Sequence, residues 1–133
     1  MRHPNIPIKQ EWRQRVIRRL LRETVERGDI IDDIHQTLKS LLNHADEILG
    51  DTRRDFIEIS TKPLERDRSR RRVEAFHSSA KEILGSLRQS VRALGGDDAR
   101  LLMNRVDKTE NVIEQVHDLC LLLISEAGEL LSE

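Results

Sequence analysis

The stretch "ARLLMNRVDKTENVIEQVHDLCLLLISEAGEL" (residues 99–130) decides the fold class of this 133-residue chain. Apolar or small side chains recur in it at alternating steps of three and four residues, the spacing of one face of a helix. The positions on this face are Ala99, Leu102, Val106, Thr109, Ile113, Val116, Cys120, Leu123, Ala127 and Leu130. A heptad pattern of this length predicts a long helix that packs against other helices.

Three further stretches have helical spacing, and turn-forming residues separate them. The first begins near Pro7 and is expected to end at Gly28. The second follows to residue 49 with a wholly aliphatic seam. The third is expected over residues 64–94, because Pro63 disfavours a helical residue before it and "GGDD" (95–98) ends one helix and begins the next.

The sequence therefore predicts a single all-α domain over residues 1–133, an antiparallel four-helix bundle. A short N-terminal hairpin (7–49) packs on a long C-terminal helical hairpin (64–131), and residues 50–63 connect them. The long hairpin extends beyond the short one, so the apolar strip near "GGDD" needs cover. A second copy is the expected cover, which predicts a dimer. The strip consists of Leu84, Leu87, Val91, Leu102 and Met103.

Composition favours a helical protein outside membranes. Hydrophobic residues make up 37% and charged residues 35%, and only one Trp and two Phe are aromatic. The longest apolar run, Leu119 to Ile124, is far shorter than the roughly 20 residues that span a bilayer. The N-terminal residues lack the apolar run of a signal peptide, and the single Cys120 is expected to be a reduced, buried thiol. These features predict a cytoplasmic location.

Two E-x-x-H motifs, "EAFH" (74–77) and "EQVH" (114–117), raise the question of a metal site. Ferritin-like di-iron bundles use two such motifs together with one Glu from each of two other helices. The motifs lie at equal heights on either side of the "GGDD" turn. The heptad pattern nevertheless places both glutamates toward solvent, and the seam of residues 31–48 carries no carboxylate. The pattern thus favours ordinary histidines at the edge of a core, with no metal ion and no cofactor, and a zinc ion held by imidazoles as the alternative.

Two weaker resemblances concern single histidines. His35 in "DDIHQTLKSLL" resembles the phosphorylated histidine of phosphotransfer domains, although Lys39 and Ser40 depart from the Lys and Gly spacing of that pattern. Arg72 and His77 have the R-x4-H spacing of HEPN-type ribonucleases, which are also small helical domains. Each resemblance covers one short motif, and together they imply a signalling module and a ribonuclease as alternative functions.

Two arginine-rich segments are the strongest charge features of the chain. Residues 1–72 carry 17 Lys and Arg against 13 Asp and Glu, whereas residues 73–133 carry 6 against 11. Acidic residues interrupt both segments and no aromatic side chain alternates with the arginines, which disfavours nucleic acid as a partner. The pattern favours solvated helix faces whose arginines pair with the acidic last helix, and a protein partner is the first alternative, ahead of nucleic acid. The candidate partner-binding residues are Arg15, Arg18, Arg19, Arg22, Arg66, Arg68, Arg70, Arg71 and Arg72.

These patterns predict a non-catalytic helical bundle that acts through protein–protein interaction, as an adaptor, regulator or scaffold. No catalytic constellation is present in the sequence: glycine-rich phosphate loops, cysteine clusters and paired inward carboxylates are all lacking. The partner's identity does not follow from the residues.

Overall fold

The computed structural model describes the backbone of residues 5–130 and the side chains of Glu11 and of residues 13–130. Within residues 5–130 the chain forms four helices and no strand, which confirms the all-α prediction. The helices are α1 (Asn5–Arg54), α2 (Phe56–Thr61), α3 (Pro63–Leu94) and α4 (Gly96–Glu129). No helix among these residues is both long and apolar enough to cross a membrane. The expected helix end at residue 131 lies outside the described residues.

The helix end predicted at Gly28 is wrong, because α1 continues through this residue to Arg54. Glycine inside a helix costs only about 1 kcal/mol relative to alanine, and no proline follows Gly28 to enforce a stop. Residues 7–49 are therefore part of one helix and do not form a hairpin. The chain divides into two compact units between Gln36 and Thr37, and each unit is described by itself.

The helix boundaries in the second unit agree with the local sequence. Lys62 has extended backbone angles (φ −124°, ψ 104°), the conformation that a following proline favours, and α3 begins at Pro63. Gly95 separates α3 from α4 with φ 65° and ψ 179°. Only glycine adopts this region readily, so the "GGDD" segment reverses the chain where the sequence predicts.

The second unit contains one apolar core. Helices α3 and α4 pack along each other, and α2 contacts both. The ring of His44 lies 4.8 Å from the ring of Phe76, so the last part of α1 lies beside α3. The largest fully buried side chains of this unit are Leu38, Ile59, Val73, Leu84, Val91, Val106, Ile113, Cys120 and Ile124.

The strip near the "GGDD" turn is already covered, contrary to the prediction. Leu84, Val91 and Leu102 are buried, and Leu87 and Met103 are half-buried. A second copy is therefore not needed at this position, which removes the sequence-based reason for a dimer there.

Cys120 is fully buried, as the sequence predicts. Burial raises the pKa of its thiol, and a hydrogen bond with Thr52 opposes that effect. Thr52 Oγ1 itself donates to the Ile48 carbonyl oxygen at 2.8 Å, so the hydroxyl is satisfied within α1. The thiol is a component of the core.

Candidate functional site

The two E-x-x-H motifs meet across α3 and α4 and form reciprocal pairs. His77 Nε2 lies 3.0 Å from Glu114 Oε1, and His117 Nε2 lies 3.2 Å from Glu74 Oε2. The two imidazole rings stack with their centroids 3.9 Å apart and an angle of 23° between their planes. Each motif therefore supplies the hydrogen-bond partner of the other motif's histidine, and the four side chains form what we call the His–Glu cluster.

The prediction that both glutamates face solvent agrees with Glu74, which is exposed, and agrees only in part with Glu114, which is half-buried. The Glu114 side chain is 37% exposed and that of Glu74 is 50% exposed, but both reach an imidazole on the facing helix. The histidines are more enclosed, at 21% exposure for the His77 side chain and 13% for that of His117. The cluster thus combines two largely buried imidazoles with two carboxylates that keep access to water.

Asp118 completes the surroundings of His117. Its Oδ1 lies 3.1 Å from His117 Nδ1, so both nitrogens of this ring face carboxylate oxygens. Three potential ligand atoms, one each from Glu74, His77 and His117, lie within 4.8 Å of one another, and the same holds for Glu114, His117 and Asp118. Among the described residues neither group includes a carboxylate from α1 or α2, so the four-carboxylate arrangement of a di-iron bundle is not formed.

Lys81 and Arg88 extend the cluster into a row of ion pairs that the sequence analysis missed. Lys81 Nζ lies 2.8 Å from Glu114 Oε1 and 3.6 Å from Glu110 Oε2. Arg88 donates to Glu110 Oε2 and to Asp107 Oδ1, both at 2.9 Å. The hydrogen bond from Arg88 is the main cause that lowers the pKa of Glu110, and the one from Lys81 is the main cause for Glu114.

The lowered pKa of Glu110 predicts that acid weakens the fold. A carboxylate whose pKa is lower in the folded chain contributes stability above its unfolded pKa, and this contribution is lost as pH falls through the folded pKa. Wild-type stability should therefore fall as pH decreases below 4.5, the ordinary value for this group. Glu110→Gln should lower the free energy of unfolding by about 1 kcal/mol at neutral pH. It should also reduce the dependence of that free energy on pH in acid, which urea unfolding at a series of pH values measures.

The matched control for this prediction is Glu82→Gln, since Glu82 is exposed and lies in the interior of α3. This change should alter the free energy of unfolding by less than about 0.5 kcal/mol at every pH. Equal pH profiles for wild type and Glu110→Gln would contradict the assignment.

The arginines of residues 66–72 are largely engaged within the chain. Arg68 pairs with Glu65 at 3.2 Å, Arg70 with Asp67 at 3.7 Å and Arg72 with Asp51. Arg68 and Arg72 also line a cavity of about 240 Å³, in which three carboxylates offset their charge. The Arg66 side chain lies against Gly128, where an added Cβ would be 2.7 Å from its Nη1. Arg71 is exposed.

The structure does not bring Arg72 and His77 to one site. Arg72 pairs with Asp51 of α1, whereas His77 pairs with Glu114 of α4. Residues five apart on a helix point about 140° from each other, which accounts for the different neighbours. His35 is half-buried in the first unit.

The first unit exposes an apolar stripe on α1, which we call the α1 stripe. Its four side chains are between 54% and 62% exposed and follow each other at helical spacing: Ile17, Leu20, Leu21 and Val25. Thr24 lies within the stripe, and its Oγ1 donates to the Leu20 carbonyl oxygen at 2.7 Å. The exposed residues Arg15, Arg18, Arg19 and Arg22 are interspersed with it.

No protein-family model, curated protein or solved structure matches this chain. The geometry of the chain itself is therefore what bears on its function. Two features stand out among the described residues: the His–Glu cluster in the second unit and the α1 stripe in the first.

Proposed function

We propose that this chain is a non-catalytic interaction protein whose α1 stripe pairs with the α1 stripe of a second copy. The observation that carries the proposal is the exposure of four large apolar side chains on one face of α1. Complete burial of such a side chain contributes about 1.5–3 kcal/mol. A partner helix on this stripe would gain much of that energy from each of the four, and the pair would serve as an adaptor, regulator or scaffold.

The polar group inside the stripe is compatible with burial. A buried hydroxyl without a partner costs about 1–3 kcal/mol, but Thr24 already donates its hydroxyl hydrogen to Leu20 in its own helix. Gly28 follows on the same face, and an added Cβ there would meet nothing within 4 Å in this chain. The stripe thus presents apolar and small groups to a partner without an unsatisfied donor from Thr24.

The charges beside the stripe favour a second copy in the antiparallel orientation. Residues 13–22 contain five arginines and no acidic residue, whereas residues 23–32 contain four acidic residues and one arginine. An antiparallel pair places the basic segment of one copy against the acidic segment of the other. A parallel pair places like charges together, which is unfavourable.

The mass of the full-length protein in solution tests the proposal. Light scattering or sedimentation equilibrium should give the mass of a dimer for wild type. Leu21→Glu, which places a carboxylate in the paired stripe, should weaken the dimer about 100-fold or more. The matched control is Leu101→Glu on α4, since Leu101 is equally exposed and lies in the other unit. A monomeric wild type, or equal loss in both variants, would refute the pairing.

Disulfide trapping tests the orientation. In an antiparallel pair centred near residue 23, a cysteine in place of Thr24 lies opposite the same cysteine of the second copy. A cysteine in place of Gln14 lies about 25 Å from its counterpart in the second copy, at a rise of 1.5 Å per residue. Oxidation should therefore link Thr24→Cys into a covalent dimer and leave Gln14→Cys unlinked, in each case with Cys120 replaced by alanine. Efficient linkage of both variants would indicate a parallel pair and contradict the charge argument.

A further inference from the structure

We propose that Glu74, His77 and His117 bind a single divalent transition-metal ion of the zinc class. The three residues lie on α3 and α4 with one potential ligand atom each, and these atoms all lie within 4.8 Å of one another. This site is independent of the pairing of α1 proposed above, because all three residues lie in the second unit.

The distances within the cluster suit a tetrahedral ion. Zinc–nitrogen and zinc–oxygen bonds of 2.0–2.2 Å place neighbouring ligand atoms roughly 3.3 Å apart in a tetrahedron. His117 Nε2 and Glu74 Oε2 are 3.2 Å apart. Because the two rings are stacked, one ring must turn about its Cβ–Cγ bond to direct both lone pairs at one ion.

His117 faces one more acceptor than a neutral imidazole can satisfy. Its Nδ1 lies 3.1 Å from Asp118 Oδ1 and its Nε2 lies 3.2 Å from Glu74 Oε2, but a neutral imidazole has a single N–H. If that hydrogen is on Nδ1 and bonds to Asp118, the Nε2 lone pair faces a carboxylate oxygen, and a cation between the two atoms is favourable. A carboxylate on the other ring nitrogen is also the usual support of a metal-bound histidine.

The glutamates of the two E-x-x-H motifs are not equivalent. Glu114 Oε1 is held by Lys81 Nζ at 2.8 Å, so its charge is already balanced by an ammonium group. Glu74 is half exposed, and its Oε2 lies 3.2 Å from His117 Nε2. The geometry thus selects Glu74 as the carboxylate ligand and a mononuclear site over a dinuclear one.

The donor set determines which ions fit. Two imidazole nitrogens and one carboxylate oxygen suit Zn²⁺ and Co²⁺, whereas Mg²⁺ and Ca²⁺ prefer oxygen ligands alone. Three protein ligands leave a fourth position of a tetrahedral ion open. The exposure of Glu74 places that position toward solvent, where water or a ligand from another molecule would complete the coordination.

The experiment is a titration of the chelator-treated, full-length protein with Zn²⁺. Binding is measured by calorimetry and by competition with a chromophoric chelator. We expect one equivalent of Zn²⁺ per chain, no competition from Mg²⁺, and a rise of the melting temperature with Zn²⁺ concentration, because an ion that binds only the folded chain stabilises it. Binding of much less than one equivalent to the wild type would overturn the proposal.

Variants locate the ion. Glu74→Gln and His117→Asn should abolish stoichiometric binding, and Asp118→Asn should weaken it about 10–100-fold, as for other residues that orient a metal ligand. His44→Asn is the matched control, since His44 packs on Phe76 and belongs to neither group of potential ligands. If His117→Asn does not fold, Glu74→Gln still decides, because its side chain is half exposed. Unchanged zinc binding in Glu74→Gln would refute the site.

Discussion

Replacing Leu102 with alanine should lower the free energy of unfolding by about 2–5 kcal/mol, the range for a leucine removed from a packed core. Leu102 is 3% exposed near the start of α4, at the end of the hairpin where the sequence predicted exposed apolar surface. The loss combines the transfer energy of the removed carbons with the cavity that they leave. Urea unfolding followed by circular dichroism measures it.

The neighbouring residue provides the control, since the two substitutions remove the same atoms. Leu101 is 65% exposed, so Leu101→Ala should change the free energy of unfolding by no more than about 0.5 kcal/mol. Alanine is also the better helix former. Similar losses in the two variants would mean that the hairpin end is not packed as described, or that Leu101 is covered by another molecule.

Replacing Gly95 with alanine should cost about 1–3 kcal/mol, because the φ of 65° and ψ of 179° at this residue belong to a region that side chains strain. Nothing lies within 4 Å of a Cβ added at Gly95. The cost is therefore a property of the backbone and not of a steric clash with a neighbour. Thermal and urea unfolding should both report the loss.

Gly85→Ala is the matched control, and its effect on the free energy of unfolding should have the opposite sign. Gly85 lies inside α3, is exposed and also has open space at its Cβ, so alanine should stabilise the protein by about 0.5–1 kcal/mol. The two substitutions add the same methyl group and differ in backbone conformation alone. A gain in both variants would show that the turn tolerates a different conformation at residue 95.

The heptad pattern predicted the helices of the second unit well and the contacts of their polar side chains poorly. An α-helix has 3.6 residues per turn. A seam drawn with 3.5 residues per turn therefore rotates about the helix axis by about 20° in each heptad. Glu74 and His77 lie about three heptads from the "GGDD" turn, where that drift is comparable to the angle between a solvent-facing position and a flanking one. Glutamate is also long enough to reach across to a facing helix.

A signal for the ion-pair row was present in the sequence. Residues equally far from an antiparallel turn face each other: Lys81 is fourteen residues before Gly95, and Glu110 is fourteen after Gly96. The same comparison that placed the two E-x-x-H motifs at equal heights thus pairs these two charges. Arg88 lies seven residues before Gly95, whereas Asp107 and Glu110 lie eleven and fourteen after Gly96, so the comparison does not identify the contacts of Arg88.

Local sequence by itself determined where α3 begins and ends and where α4 begins, because Pro63 and Gly95 restrict backbone angles whatever surrounds them. It also placed Leu102, Val106, Ile113 and Cys120 of α4 in the core, because burial follows the helical spacing of apolar side chains, although Leu130 on the same seam is 59% exposed. The pattern of glycines did not reveal that α1 continues through Gly28, since a cost of about 1 kcal/mol is small enough for the adjoining turns of the same helix to override. Only the tertiary structure decided that Glu74 and Glu114 pair with the facing histidines, since such contacts depend on the rotation of two helices about their axes.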